Sequence, residues 1–255
     1  MSSGRLDRPD SKMRPYLPRT RRTLATRKSP SKRLPSKAPA KRVRKRAAVR
    51  DGEAPEPVDD GLAAMREAAM GCKRCPLWKP ATQTVFGEGP DDARVLVIGE
   101  QPGDAEDLSG HPFVGPAGKL FDRALAELGL DRARFYVTNA VKHFKYEVRG
   151  KVRLHRSPNG SERAACRIWL ERELAAVKPD VIVCLGAIAA RSVLGSKFRL
   201  MAERGRWQAL ADGTRVLATV HPSFVLRQRG DEERHAAYAQ FVADLSLLKR
   251  ARGRT

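Results

Sequence analysis

Four short apolar runs fix the class of fold open to this chain: 94–99 (RVLVIG), 134–138 (RFYVT), 181–185 (VIVCL) and 216–220 (VLATV). Each is too short to be a buried helix and is rich in β-branched or aromatic residues, as strands covered on both faces are. Between and around them lie stretches with apolar residues at helical spacing: 62–70, 116–128, 161–177, a segment ending at 194, and 231–249. Strands alternating with helices predict an α/β fold, a parallel sheet with helices on both faces and so three layers. Ser161 is the expected N-cap of its helix. Residues 142–160 are basic, contain glycine and show no period, so they read as a long loop. There is no internal repeat.

Charge divides the chain. Its 255 residues carry a formal net charge of +21, yet residues 1–50 hold eighteen Lys and Arg against two Asp, so sixteen of those charges lie there. Residues 1–60 are poor in apolar side chains and cannot bury enough surface to offset the entropy of ordering. The expectation is a disordered basic tail at 1–60 followed by one globular domain at 61–255. The tail serves either as a solvated extension or as an arm on nucleic acid. Such an excess of positive charge implies a polyanionic partner. No apolar run approaches the roughly 18 residues that span a bilayer. The N-terminus lacks the apolar core of a secretory signal. A monomer in a bacterial-type cytoplasm, associated with the nucleoid and not with a membrane, is expected. Four cysteines in a chain this long are no disulfide framework, and Cys72-x-x-Cys75 suggests metal or redox chemistry.

In parallel sheets, ligands bind beyond the carboxyl ends of the strands. Three polar clusters fall at those ends: Gly99-Glu100-Gln101-Pro102-Gly103, Thr138-Asn139 and His221-Pro222-Ser223. One such cluster alone is an ordinary loop; three together mark a candidate site.

With GEQPG after the first strand, GHPFVGPAG at 110–118, TNAVK at 138–142 and HPS at 221–223, the chain resembles the uracil-DNA glycosylase superfamily. The upstream C-x-x-C and the downstream Cys166 are similar to its iron–sulfur branch, which includes family 4. GEQPGD, TNAVKHFK and GKVRLH resemble UdgX, the variants that capture uracil-DNA covalently through a histidine. The UdgX loop is usually KRRIH; here it is Lys151-Val152-Arg153-Leu154-His155, with the histidine kept and one basic residue replaced by Val152. The match runs from about residue 71 to the C-terminus and leaves out the basic tail.

The resemblance implies a uracil-DNA glycosylase-like fold and a DNA-repair enzyme acting on uracil-containing DNA, with single strands accepted. A base inside a duplex is out of reach and must be extruded first. The resemblance assigns Phe113 as the stacking platform, where a core aromatic is the alternative. It assigns Asn139, with donors and an acceptor, to reading the uracil edge; otherwise Asn139 closes an Asx turn. Gln101 would contact uracil through backbone or side chain. Breaking the C–N bond puts negative charge on the leaving base, and His221 is the donor aimed at it; Ser223 would support a phosphate or the loop. His155 would attack the cationic sugar carbon in place of water, as a neutral imidazole can, with Glu100 orienting it or stabilising its cationic form. In a plain glycosylase, His155 would be one more DNA-contacting residue. Lys151, Arg153 and Arg156 would hold phosphates.

The resemblance also implies the ligand set Cys72, Cys75, His143 and Cys166, with His143 in VKHFK standing where family 4 usually has cysteine. Three thiolates and an imidazole suit zinc by ligand type alone; the resemblance favours a 4Fe–4S cluster of structural role. Cys184, mid-strand in VIVCLG, is expected to be core.

Overall fold

The computed structural model describes residues 61–251, so the expected tail at 1–60 lies outside the described residues. In chain order the elements are helix α1 (Gly61–Met70), strand β1 (Val95–Gly99), helices α2 (Asp104–Ser109) and α3 (Pro116–Glu127), strand β2 (Phe135–Asn139), the hairpin β3 (Tyr146–Arg149) and β4 (Val152–His155), helix α4 (Gly160–Val177), strand β5 (Val181–Leu185), helices α5 (Ala187–Leu194) and α6 (Leu200–Glu203), strands β6 (Trp207–Ala209) and β7 (Arg215–Thr219), and helices α7 (Pro222–Leu226) and α8 (Asp231–Ala251). The main sheet has the order β2-β1-β5-β7-β6. Its first four strands are parallel, and β6 closes one edge antiparallel to β7.

Period-two alternation sorts the strand side chains onto two faces. Val97, Phe135, Val137, Val181, Val183, Leu185 and Leu217 face α3, α7 and α8, meeting Phe121, Leu125, Val225, Phe241 and Leu245. Leu96, Ile98, Tyr136, Ile182, Cys184, Val216 and Ala218 face α4 and α5, meeting Leu170, Val177, Ala189 and Val193. This is the expected three-layer α/β fold, and Cys184 is core. A satellite cluster of Ala69, Cys72, Leu77, Phe86, Val141, Cys166 and Trp169 joins α1 and the C-x-x-C segment to α4.

Two local expectations are corrected. Residues 142–160 are not one long loop: within them β3 and β4 pair as Tyr146↔His155 through Arg149↔Val152 around the two-residue turn Gly150-Lys151. Gly150 has φ +61°, which suits the first position of a primed hairpin turn. The N-cap of α4 is Asn159, not Ser161: Asn159 Oδ1 accepts from the Glu162 amide at 2.9 Å, and Glu162 Oε2 accepts from the Asn159 amide at 2.6 Å. That reciprocal pair satisfies two helix-end donors. GEQPG also leads into a helix, α2, that the short charged stretch DAEDLS does not announce.

Candidate active site

The ends of β1, β2 and β7 open onto one cavity of about 920 Å³, lined by Glu100, Gln101, Phe113, Asn139, His155 and His221 among others. All three polar strand-end clusters therefore meet, together with the hairpin histidine. Gly99 makes the approach possible. A Cβ on it would stand 2.2 Å from Asn139 Oδ1 and 2.8 Å from the Phe113 ring, so a side chain there would push both out of place. Phe113 is buried with φ +61°, a left-handed conformation that costs an aromatic residue energy. It is held by Gly118, whose Cβ would collide with the Phe113 carbonyl at 1.8 Å. The ring packs on Phe121 at 5.9 Å between centroids and lies 6.4 Å from the His221 ring.

His221 caps α7. Its Nδ1 accepts from the Ser223 amide at 3.2 Å and lies 2.9 Å from Ser223 Oγ, which itself accepts from Arg227 Nη1 at 2.8 Å. Burial lowers the His221 pKa to about 4, with nearby His155 and Arg227 adding to the effect. The imidazole is thus neutral near neutral pH. With Nδ1 accepting, its proton resides on Nε2, which leaves that nitrogen a donor. Ser223 therefore orients His221 and receives Arg227.

His155 ends β4 with its side chain 48 % exposed and its Nε2 4.0 Å from Glu100 Oε1. That oxygen is buried and has no hydrogen-bond partner among the described residues. Burial lowers the His155 pKa, Glu100 partly restores it and Arg227 lowers it further.

The hairpin is fixed from two sides. Gln101 Nε2 donates to the carbonyls of Lys145 and Arg156, each at 3.1 Å, and its Oε1 accepts from the Lys145 amide. The Gln101 side chain is thus committed to the hairpin base, and only its backbone remains for a ligand. Arg153, on the same face of β4 as His155, pairs with Asp104 at 2.5 Å and Asp107 at 2.6 Å. Its guanidinium also lies 5.0 Å from the Tyr146 ring and 5.5 Å from that of Phe144. Instead of reaching outward for phosphate, as its sequence context suggested, Arg153 clamps the hairpin onto α2. Arg156 is exposed and paired with Glu147, and Lys151 stands exposed at the hairpin turn.

Sequence reasoning missed the carboxylates of α2. Glu106 accepts from the amides of Gly103 at 3.0 Å and Gly115 at 2.8 Å, joining the loop after β1 to the loop carrying Phe113. Asp107 accepts from the Thr82 amide as well as from Arg153. The signal was the DAED run directly after GEQPG. Also missed was the buried pair Lys142–Glu173, 2.5 Å apart. Lys142 Nζ donates to the Asn139 carbonyl at 2.8 Å and to Thr138 Oγ1 at 2.6 Å. Glu173 accepts from the Gly87 amide and the Tyr136 hydroxyl. The pair underpins the end of β2, where Asn139 sits.

Cys72, Cys75 and Cys166 are free thiols gathered in or against the satellite cluster. The Lys142 amide donates to Cys166 Sγ and Trp169 Nε1 to Cys72 Sγ, both at 3.2 Å. Burial pushes the Cys166 thiol up to about 12, against the pull of Lys142. His143, the residue after Lys142, is buried, with Nε2 2.9 Å from Thr84 Oγ1. Among the described residues, no three His, Cys, Asp or Glu side chains converge as ligands of one metal ion.

Comparison with known proteins follows the same lines. The family model for the uracil DNA glycosylase superfamily matches residues 86–246. The chain is similar to the type-4 uracil-DNA glycosylase of Thermotoga maritima, 36% identical over 190 residues that cover 74% of this chain and 95% of that protein. It is similar to the type-4 enzyme of Archaeoglobus fulgidus, 37% identical over 167 residues, 62% of this chain and 79% of that one. A type-5 uracil-DNA glycosylase of Pyrobaculum aerophilum is 31% identical over 179 residues, 64% and 75% of the two chains.

Proposed function

This chain belongs to the uracil DNA glycosylase superfamily, and on that premise we propose that it excises uracil from DNA in repair and keeps the resulting sugar through a bond to His155. The observation that carries the proposal is the convergence on one cavity of Phe113, Asn139, His221, Glu100 and His155. Phe113 stacks on the extruded base and Asn139 reads its edge. His221 donates from Nε2 to the uracil oxygen that gains charge as the bond weakens. The C–N electron pair leaves with uracil. The lone pair of a neutral His155 ring nitrogen then bonds to the sugar carbon, and the positive charge passes to the ring. Glu100, with an oxygen otherwise unpaired, stabilises that charge. A bond of this kind has no easy second step, so the protein is a single-turnover reagent. Lys151 and Arg156 meet phosphates, while Arg153 and Gln101 hold the hairpin in register.

Cys72, Cys75 and Cys166, with His143 as the fourth ligand, would hold a 4Fe–4S cluster in this proposal. The donor set fits: Cys72 and Cys166 are buried and Cys75 half-buried, all three are free thiols, and N–H···S bonds reach Cys72 and Cys166. When bound, the cluster would tie α1 and the C-x-x-C segment to α4 and to the turn after β2.

Denaturing gel electrophoresis after incubation with a uracil-containing oligonucleotide tests the enzymatic reading. The wild-type protein is expected to give a denaturant-stable complex; His155→Ala is expected to lose it and to release uracil, leaving an abasic site. Multiple turnover with no complex would favour the conventional type-4 activity to which the sequence similarity points. Full adduct yield from His155→Ala would assign the nucleophile to another residue.

A further inference from the structure

Asn139 lines the cavity, whereas Lys142 and Glu173 lie behind it, fully buried and outside the lining. Lys142 Nζ stands 2.5 Å from Glu173 Oε2 and 5.4 Å from the centre of the Phe86 ring. It donates to Thr138 Oγ1 at 2.6 Å and to the Asn139 carbonyl at 2.8 Å. The ammonium thus has three oxygen partners, as many as it has protons. Thr138 Oγ1 in turn lies 2.9 and 3.0 Å from the two Glu173 oxygens, which closes the network.

Stability alone gives little reason for such a pair. Desolvating two charges offsets most of their attraction, and apolar side chains of similar volume commonly serve a core as well or better. What an apolar side chain at 142 lacks is a donor for the Asn139 carbonyl. That carbonyl and the Ala140 N–H belong to one planar peptide. The Ala140 amide donates to the Gly99 carbonyl at 2.9 Å. The peptide is therefore gripped on both sides, its N–H by Gly99 and its C=O by Lys142, and the backbone angle that aims Asn139 is fixed. An amide side chain reads an edge by where its donor and its acceptor point, and turning it over exchanges the two.

We propose that Lys142, set in place by Glu173 and Thr138, is a positioning residue for base recognition: by holding the Asn139 carbonyl it fixes the direction in which the Asn139 amide meets the uracil edge. The inference rests on the reading of Asn139 given above. It makes recognition separable from stability. A core that lacks the ion pair but buries no lone charge folds, yet presents Asn139 loosely to the base, and a displacement of about 1 Å at a reacting site costs up to about a hundredfold in rate.

The test is single-turnover uracil release from a uracil-containing oligonucleotide across protein concentrations, with thermal melting alongside. Lys142→Met alone leaves a buried carboxylate without its partner, so the variant measured is Lys142→Met with Glu173→Gln, which buries no charge. It is expected to melt cooperatively above the assay temperature and to release uracil at saturation slower on the order of tenfold or more. Its half-saturating concentration is expected to stay within about twofold, because neither side chain reaches a phosphate. Asn139→Ala supplies the second arm. Added to Asn139→Ala, the paired change is expected to slow release by less than about twofold more, since nothing is left to position. Effects that multiply, a loss confined to half-saturation, a wild-type rate in the folded variant, or a variant that does not fold each overturn the proposal. Asn139→Ala at the wild-type rate removes the recognition role of Asn139 itself. A wild-type protein that releases no uracil removes the excision reading, so the failures are told apart.

Discussion

Two imidazoles at one cavity carry opposite tasks, and their surroundings separate them. His221 has Nδ1 occupied by the Ser223 amide, which fixes its proton on the other nitrogen and makes it a donor. His155 faces an unpaired Glu100 oxygen and needs a lone pair to react. The sign of its pKa shift is testable. Burial is the largest cause and lowers it below the ordinary 6.5, so the reactive neutral form persists as pH falls through 6.5. Adduct formation is therefore expected to hold level from neutral pH to below 6.5 and to decline only at more acidic pH. Glu100 raises this pKa and Arg227 lowers it. Glu100→Gln should thus move the acid limb to lower pH, and Arg227→Ala should move it to higher pH, whatever either does to the plateau rate. Single-turnover rates between pH 4 and 8 read the limb directly. Shifts in the reverse directions would mean that another group controls it.

At the scale of elements, the sequence was readable where burial is complete and opaque where it is not. The parallel strands β1, β2, β5 and β7 are continuous apolar runs because both faces are covered, and each was placed to within a residue. The hairpin was missed because it is a surface ribbon. Glu147, Val148, Arg149, Lys151 and Val152 are exposed, so no apolar alternation marks its pairing. What holds it is polar: the Gln101 amide at its base and the Arg153 guanidinium on Asp104 and Asp107. Bonds between elements distant in sequence leave no periodic trace. The misread α4 cap has a different cause: Asn159-x-x-Glu162 is itself the pattern of a capping box, but Ser161 stood closer to the first apolar residue. The cysteine set was legible as residue types but not as geometry. Its test is spectroscopic: the intact protein is expected to show the broad visible absorbance of an iron–sulfur protein, and Cys72→Ser to lose it and melt at lower temperature as α1 loosens from α4. A colourless, zinc-bearing and fully active protein would replace the cluster with a single-ion site.

For the whole molecule, charge and recognition belong to different parts of the chain. The cavity and the hairpin both lie in residues 86–246, the span of the family match. Sixteen of the twenty-one net positive charges lie in residues 1–50, which carry none of those motifs. Affinity and specificity should therefore be separable. Each Lys or Arg that neutralises a phosphate releases counterions, and the slope of log affinity against log salt steepens by about 0.7–0.9 for each contact. Such contacts read no sequence, whereas the choice of uracil is made by Asn139 and Phe113 inside the cavity. Removing residues 1–50 is thus expected to weaken binding to uracil-containing and uracil-free DNA by the same factor. It should also flatten the salt slope and leave the preference for uracil over thymine unchanged. Binding isotherms for both proteins, on both DNAs, across 50 to 200 mM salt read all three quantities. Four or five lost contacts would show as a slope shallower by about 3 to 4.5. Equal slopes would mean that the basic segment does not touch DNA, and an altered uracil preference would mean that it reaches the cavity.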